Sequence, residues 1–169
     1  SSVQQTVTLA AASTDKAYTC TVTFTDAAGN VANALTLTAF TLDTTVATPS
    51  ETTVVTTPTK DTSPDVVITT AEAGTIVVGG TTGCGVGSSS VSSGQQTITL
   101  STITQGDGAY TCTITFTDSA GNAASAMSLT AFTLDTTVAA PSETTAVTTP
   151  TKDTSPDVVI TTSEAGTIV

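Results

Sequence analysis

Histidine, arginine and tryptophan are missing from the sequence altogether. Without His, no side chain titrates near neutrality to act as a general base, and no imidazole is present to bind a transition metal. No nucleophile–base pair or hydrolytic metal cluster stands out either, so an enzyme is not expected. Positive charge is nearly absent: Lys and Arg together number 3 against 14 Asp and Glu, a net charge of -11. Nucleic acid and anionic lipid both require a basic surface, which excludes them as expected partners. No apolar run reaches 18 residues, so no membrane insertion is expected. Aromatic residues make up only 4% of the chain. That scarcity disfavours an aromatic hot spot for a protein partner and a stacking site for sugar.

What fills the chain instead is threonine, 45 of 169 residues. Threonine is β-branched and favours strands. Charged residues amount to 10%, and no window repeats apolar residues at helical spacing over three turns. The chain reads as all-β.

Residues 18–77 align with residues 110–169 at an offset of 92, with 51 of 60 positions identical. SSVQQTVTL (1–9) also matches SSGQQTITL (92–100) at an offset of 91. A period near 92 is longer than the solenoid repeats of about 20–50 residues. It is the size of one small β-sandwich. Residues 1–45 are therefore expected to form the C-terminal part (strands E–G) of one domain. Residues 46–137 form a complete domain, and 138–169 the N-terminal part (strands A–C) of the next. Linkers are placed at DTTVAT (43–48) and DTTVAA (135–140). On this reading the sequence starts and stops inside domains.

Within the central unit, strands are expected at 53–57 (A), 65–70 (B), 75–78 (C), 96–100 (E), 109–117 (F) and 127–134 (G). Residues 58–64 are a turn by composition. The Gly- and Ser-rich segment 79–94 should wander, with room for one short strand. Strand F alternates: Tyr110, Cys112, Ile114 and Phe116 face one way and four threonines the other, the pattern of a half-buried strand. Strand G alternates less well, which calls for a bulge or for burial on both faces.

The cysteines are Cys20, Cys84 and Cys112. Cys84 follows strand C and Cys112 lies near the start of strand F. In immunoglobulin topology C and F are neighbours, so these two are the expected disulfide. Cys20, the repeat counterpart of Cys112, would pair outside residues 1–169 or in a neighbouring chain. The competing reading is three reduced, buried thiols in an intracellular protein. A disulfide would instead imply an oxidising, extracellular location.

The same connectivity sorts the carboxylates to the two ends of the sandwich. Asp15, Asp43, Glu72, Asp118 and Asn122 would meet at the first junction. Asp61, Asp65, Asp107, Asp135 and Glu164 would meet at the second. Ca²⁺ takes six to eight oxygen ligands and would neutralise such a group. The alternative is that these are ordinary turn residues, bonded to their own backbone. No EF-hand or glycine-rich nonapeptide calcium motif is present.

TPTKDTSPD (57–65), EAGTI (72–76), DGAYTCTITFTDSAGN (107–122) and LTAFTLDTT (129–137) together resemble the bacterial Ig-like repeats of large cell-surface adhesins and biofilm-associated proteins. The resemblance spans essentially the whole chain. It implies tandem immunoglobulin-like β-sandwich domains arranged end to end, extracellular or at the bacterial cell surface, that act as extenders or fibre elements. It also implies Ca²⁺ at interdomain junctions, with Asp43, Asp135, Asp26 and Asp118 in ligand positions. Tyr110, two residues before Cys112, resembles the tyrosine corner of immunoglobulin domains, whereas the usual B–F bridge is missing. Expected partners are neighbouring copies of the same repeat, in one chain or a fibre. Two alternatives stand beside the rod. One is an adhesive module for glycan, host surface or ice, suggested by the outward Thr rows. The other is a fibre subunit whose split domains are completed by strands of another copy. No Asn-x-Ser/Thr sequon is present.

Overall fold

A computed structural model describes residues 4–81, 83–85 and 89–169. The first three residues, Thr82 and residues 86–88 lie outside the described residues, and with them part of the expected wandering segment.

Four short strands open the chain: β1 (Lys16–Tyr18), β2 (Thr21–Val22), β3 (Leu35–Thr36) and β4 (Phe40–Leu42). The central unit follows with β5 (Ser50–Thr53), β6 (Asp65–Thr70), β7 (Gly74–Gly80), β8 (Ser89–Val91), β9 (Gly94–Thr99), β10 (Gly108–Tyr110), β11 (Cys112–Asp118), β12 (Met127–Ser128) and β13 (Phe132–Leu134). The chain closes with β14 (Ser142–Thr145) and β15 (Val159–Thr161).

The central strands make two layers. One sheet has the order β5-β6-β9; the other has β12-β11-β7-β8, extended by the pair β10-β13. In immunoglobulin letters these are A-B-E and G-F-C-C′. The registers follow the side-chain alternation. On β6, Val66, Ile68 and Thr70 are buried; opposite them, Ile76 and Val78 of β7 and Ile114 and Phe116 of β11 point inward. Val66, Ile68, Ile76 and Ile114 are fully buried, and Phe116 is 1% exposed. Burying side chains of this size stabilises the fold by about 1.5–3 kcal/mol each. The threonines between them stay on the outer faces, which is why so Thr-rich a chain can still close a core.

Three expected strands are shifted or interrupted. Strand A pairs with β6 at Ser50–Thr53, earlier than 53–57. The chain then crosses to the other sheet, where Thr59 lies parallel to Leu134. Thr59 N–H donates to the Thr133 carbonyl at 2.9 Å, and Asp135 N–H donates to the Thr59 carbonyl at 2.8 Å. Part of the supposed turn at 58–64 is thus a sheet-switching strand edge. Strand F is interrupted at Thr111 and strand G between Ser128 and Phe132. The interruption in G explains its poor alternation: Leu129, Phe132 and Leu134 are all buried. Glu51 fixes the break, because its Oε2 accepts hydrogen bonds from Thr130 N–H at 2.8 Å and Thr130 Oγ1 at 2.7 Å.

Cys84 and Cys112 are joined by a disulfide, with Cα atoms 5.6 Å apart. Cys112 pairs with Gly80 at the end of β7, so the bridge closes the loop that leaves strand C onto strand F. Cys20 is free. Tyr110 donates its hydroxyl to the Gly106 carbonyl at 2.7 Å and stacks on Phe132. Tyr18 repeats both contacts with Thr14 and Phe40. The β1–β4 register matches the β10–β13 register at the 92-residue offset. No helix among the described residues is long and apolar enough to cross a membrane.

Candidate metal centre

The turn between β11 and β12 has the sequence DSAGN. Asp118 Oδ1 accepts the backbone N–H groups of Ala120 (2.8 Å), Gly121 (2.7 Å) and Asn122 (2.8 Å). Its Oδ2 accepts from Asn122 Nδ2 at 2.8 Å. Gly121 has φ 97°, a conformation that costs glycine little. The local sequence therefore locks the carboxylate at the tip of strand F. Burial opposes its ionisation, but the Asn122 side chain and the Asn122, Gly121 and Ala120 amides outweigh that and hold the carboxyl below its ordinary value of 3.8. Asp118 is 6% exposed.

Two further carboxylates meet it. Asp43 comes from the segment entering the sandwich, and Glu72 from the β6–β7 turn. One oxygen from each of Asp43, Glu72 and Asp118 lies within 4.8 Å of the others. Asn122 Nδ2 also donates to the Asp43 carbonyl at 3.1 Å, and Val46 packs against the core just beyond. The entering segment is thus anchored on the turn that carries Asp118.

This spacing fits a hard divalent cation. Oxygens sharing one ion at about 2.4 Å are at most about 5 Å apart. Asp118 Oδ1 is saturated by three N–H groups, so Oδ2 is the oxygen it would offer. Three anionic oxygens suit Ca²⁺ or Mg²⁺, and the sequence has no imidazole to favour a softer ion.

The remaining acidic candidates lie elsewhere. Asp26 caps its own turn, accepting from Ala28 N–H, Asn30 N–H and Asn30 Nδ2. Asp61 accepts from Ser63 N–H, and Asp65 from Thr99 Oγ1. Asp135 shares a shallow recess with Lys60, Thr136, Thr137, Val138 and Glu164.

Asp107 and Asp15 have another use. Asp107 accepts Thr136 N–H at 2.9 Å, Thr136 Oγ1 at 2.6 Å and Thr137 Oγ1 at 2.8 Å. Asp15 accepts the same three donors from Thr44 and Thr45 at 3.0, 2.8 and 3.0 Å. The Thr136 side chain foremost, then Thr137, holds the Asp107 carboxyl below 3.8; the Thr44 amide and hydroxyl do so for Asp15. The sequence reading grouped both residues with the junction carboxylates and missed this bonding. A signal was available: both copies place Asp three residues before the corner tyrosine and Thr-Thr directly after the linker aspartate.

Layers A-B-E and G-F-C-C′, a tyrosine corner and a C–F disulfide define an immunoglobulin-type β-sandwich module. The family model for the bacterial Ig-like domain matches residues 45–136. The match covers more than half of the chain, which belongs to that family, one of non-catalytic structural modules. No curated protein sequence matches the chain.

Proposed function

We propose that the chain is a segment of a rod: tandem Ig-like extender modules, with boundaries near 1–45, 46–137 and 138–169, in an extracellular adhesin or filament of a bacterial cell surface. Its partners are neighbouring copies of the same repeat. The observation that carries this reading is the meeting of Asp43, from the segment entering the sandwich, with Glu72 and Asp118 on two turns of that sandwich. Three carboxylates at one joint of a chain with net charge -11 repel one another until a cation joins them. Ca²⁺ is the cation proposed, because carboxylates brought together from one entering segment and two turns suit its adaptable coordination better than the strict octahedron of Mg²⁺. The bound ion would supply charge neutralisation and cross-linking of linker to module. The disulfide supports an oxidising compartment.

Calcium titration by calorimetry, with small-angle scattering on the same samples, tests the proposal. Binding in the roughly 10⁻⁴–10⁻³ M range typical of extracellular modules is expected. An elongated particle that becomes straighter with the ion, and loss of both effects in Glu72→Gln, complete the expectation. No heat up to about ten times that range would end the calcium assignment. A compact particle with the flanking segments folded back on the central sandwich would end the rod.

A further inference from the structure

We infer that Asp15 and Asp107 are positioning residues for the junctions: each latches the Thr-Thr pair behind the linker aspartate and so sets the direction in which the chain leaves one unit for the next. The inference rests on the end-to-end reading above, but not on any cation.

The two latches are built from the same parts 92 residues apart. In each, one carboxylate receives a backbone N–H and two threonine hydroxyls across 29 or 30 residues of sequence. The carboxylate stands three residues before a tyrosine whose hydroxyl closes a corner onto the preceding loop. That tyrosine stacks on a phenylalanine of the last strand before the linker. The base of the latch is therefore fixed by the unit being left. A hydrogen bond restrains distance; three on one carboxylate, to two successive residues, also restrain the peptide's orientation.

At the first junction the far side is held as well. Asn122 Nδ2 grips the Asp43 carbonyl, and Val46 packs against the central core. The peptide 43–46 is thus bound to the preceding unit through Asp15 and to the following one through Asn122 and Val46. Threonine suits 44 and 136 because it offers a hydroxyl beside its amide. The β-branch also restricts the side-chain rotamer, so little freedom is lost when the hydroxyl bonds.

The test uses the full ¹⁵N-labelled chain in EDTA, so that cation binding plays no part. In the unmodified protein, β1–β4 are expected to tumble with β6, β9 and β11 as one body in ¹⁵N relaxation, and the Thr44 and Thr136 amides to be protected. Asp15→Ala should raise the Thr44 exchange rate at least about tenfold, the equivalent of a lost charge-assisted hydrogen bond. It should also give β1–β4 a shorter correlation time than the central sandwich. Thr44→Val with Thr45→Val keeps Asp15 and the corner but removes both hydroxyls, and should reproduce the loss of common tumbling even where Asp15→Ala unfolds β1–β4. Asp153→Ala, a turn carboxylate that accepts from Ser155 N–H within its own turn, should change neither reading. Unchanged tumbling in both latch variants, or an unprotected Thr44 amide in the unmodified chain, would overturn the inference. Absence of calcium binding would remove the cation and leave the latch result standing.

Discussion

Replacing Cys84 and Cys112 together by alanine removes the one covalent constraint on the central sandwich. The cysteines are 28 residues apart, and the segment they enclose holds β8, β9 and β10. Freeing a loop of that length in the unfolded chain costs about 3–4 kcal/mol of stability on the chain-entropy model. Cys112 is 1% exposed, so trimming its sulfur adds about 1 kcal/mol of lost burial. A module of this size has roughly 5–14 kcal/mol in total. The summed loss of about 4–5 kcal/mol leaves the variant folded at 25 °C wherever the total exceeds about 5 kcal/mol, with its melting temperature lower by roughly 15–40 °C. Urea unfolding followed by circular dichroism, in a Cys20→Ser background to prevent intermolecular pairing, measures the difference. The unmodified protein under a phosphine reductant keeps both sulfurs but loses the link, which separates the entropic part from the packing part. The urea slope should rise slightly, because the uncrosslinked unfolded chain exposes more surface. A loss below about 1 kcal/mol in both forms would refute the reasoning, since the bridge would then not limit the unfolded ensemble.

Two other perturbations probe the turns. A Cβ at Gly74 would meet the Thr117 carbonyl oxygen and two ring carbons of Phe116 at 2.7 and 2.8 Å. Gly74→Ala should cost about 2–3 kcal/mol through overpacking, whereas its repeat counterpart Gly166, with nothing within 4 Å, should accept alanine at little cost; equal melting temperatures for the two variants would contradict the packing described. Asp118 and Asp107 are held below their ordinary value of 3.8, so the stability they add is complete above that value and is lost as pH falls through it toward the lower folded values. Carboxyl NMR titration should place both midpoints below 3.8 and thermal stability should drop over the same interval; midpoints at or above 3.8 would show that the turn and latch hydrogen bonds do not form in solution.

Much of the sandwich could be read from local pattern. The alternation of Tyr110, Cys112, Ile114 and Phe116 marks an inward face whichever partner covers it, and all four are buried. DVVITT is a strand over the residues expected, 65–70. Cys84 and Cys112 follow from the C–F adjacency that topology imposes. The edges were harder. Strand A pairs at Ser50–Thr53 rather than at the expected 53–57, and Glu51 within it reaches across to Thr130. Thr59 joins strand G by a parallel bridge that nothing in PTKDTSP announces. Sheet switching of this kind depends on which neighbour is within reach, which residue preference does not encode.

The acidic residues show the same division. A turn aspartate such as Asp26 or Asp118 is specified by DxxGN alone, since its bonds run to residues at most four away. Alternation, turn chemistry and the 92-residue repeat fix the all-β character, the strands and the cysteine pair, because each rests on contacts within a strand or on duplicated sequence. Only the folded chain brings Asp43 to Glu72 and Asp118, and only there do Asp15 and Asp107 take the linker threonines instead of an ion. Those choices depend on distances across 29 or more residues, and such distances exist only once the two sheets have closed.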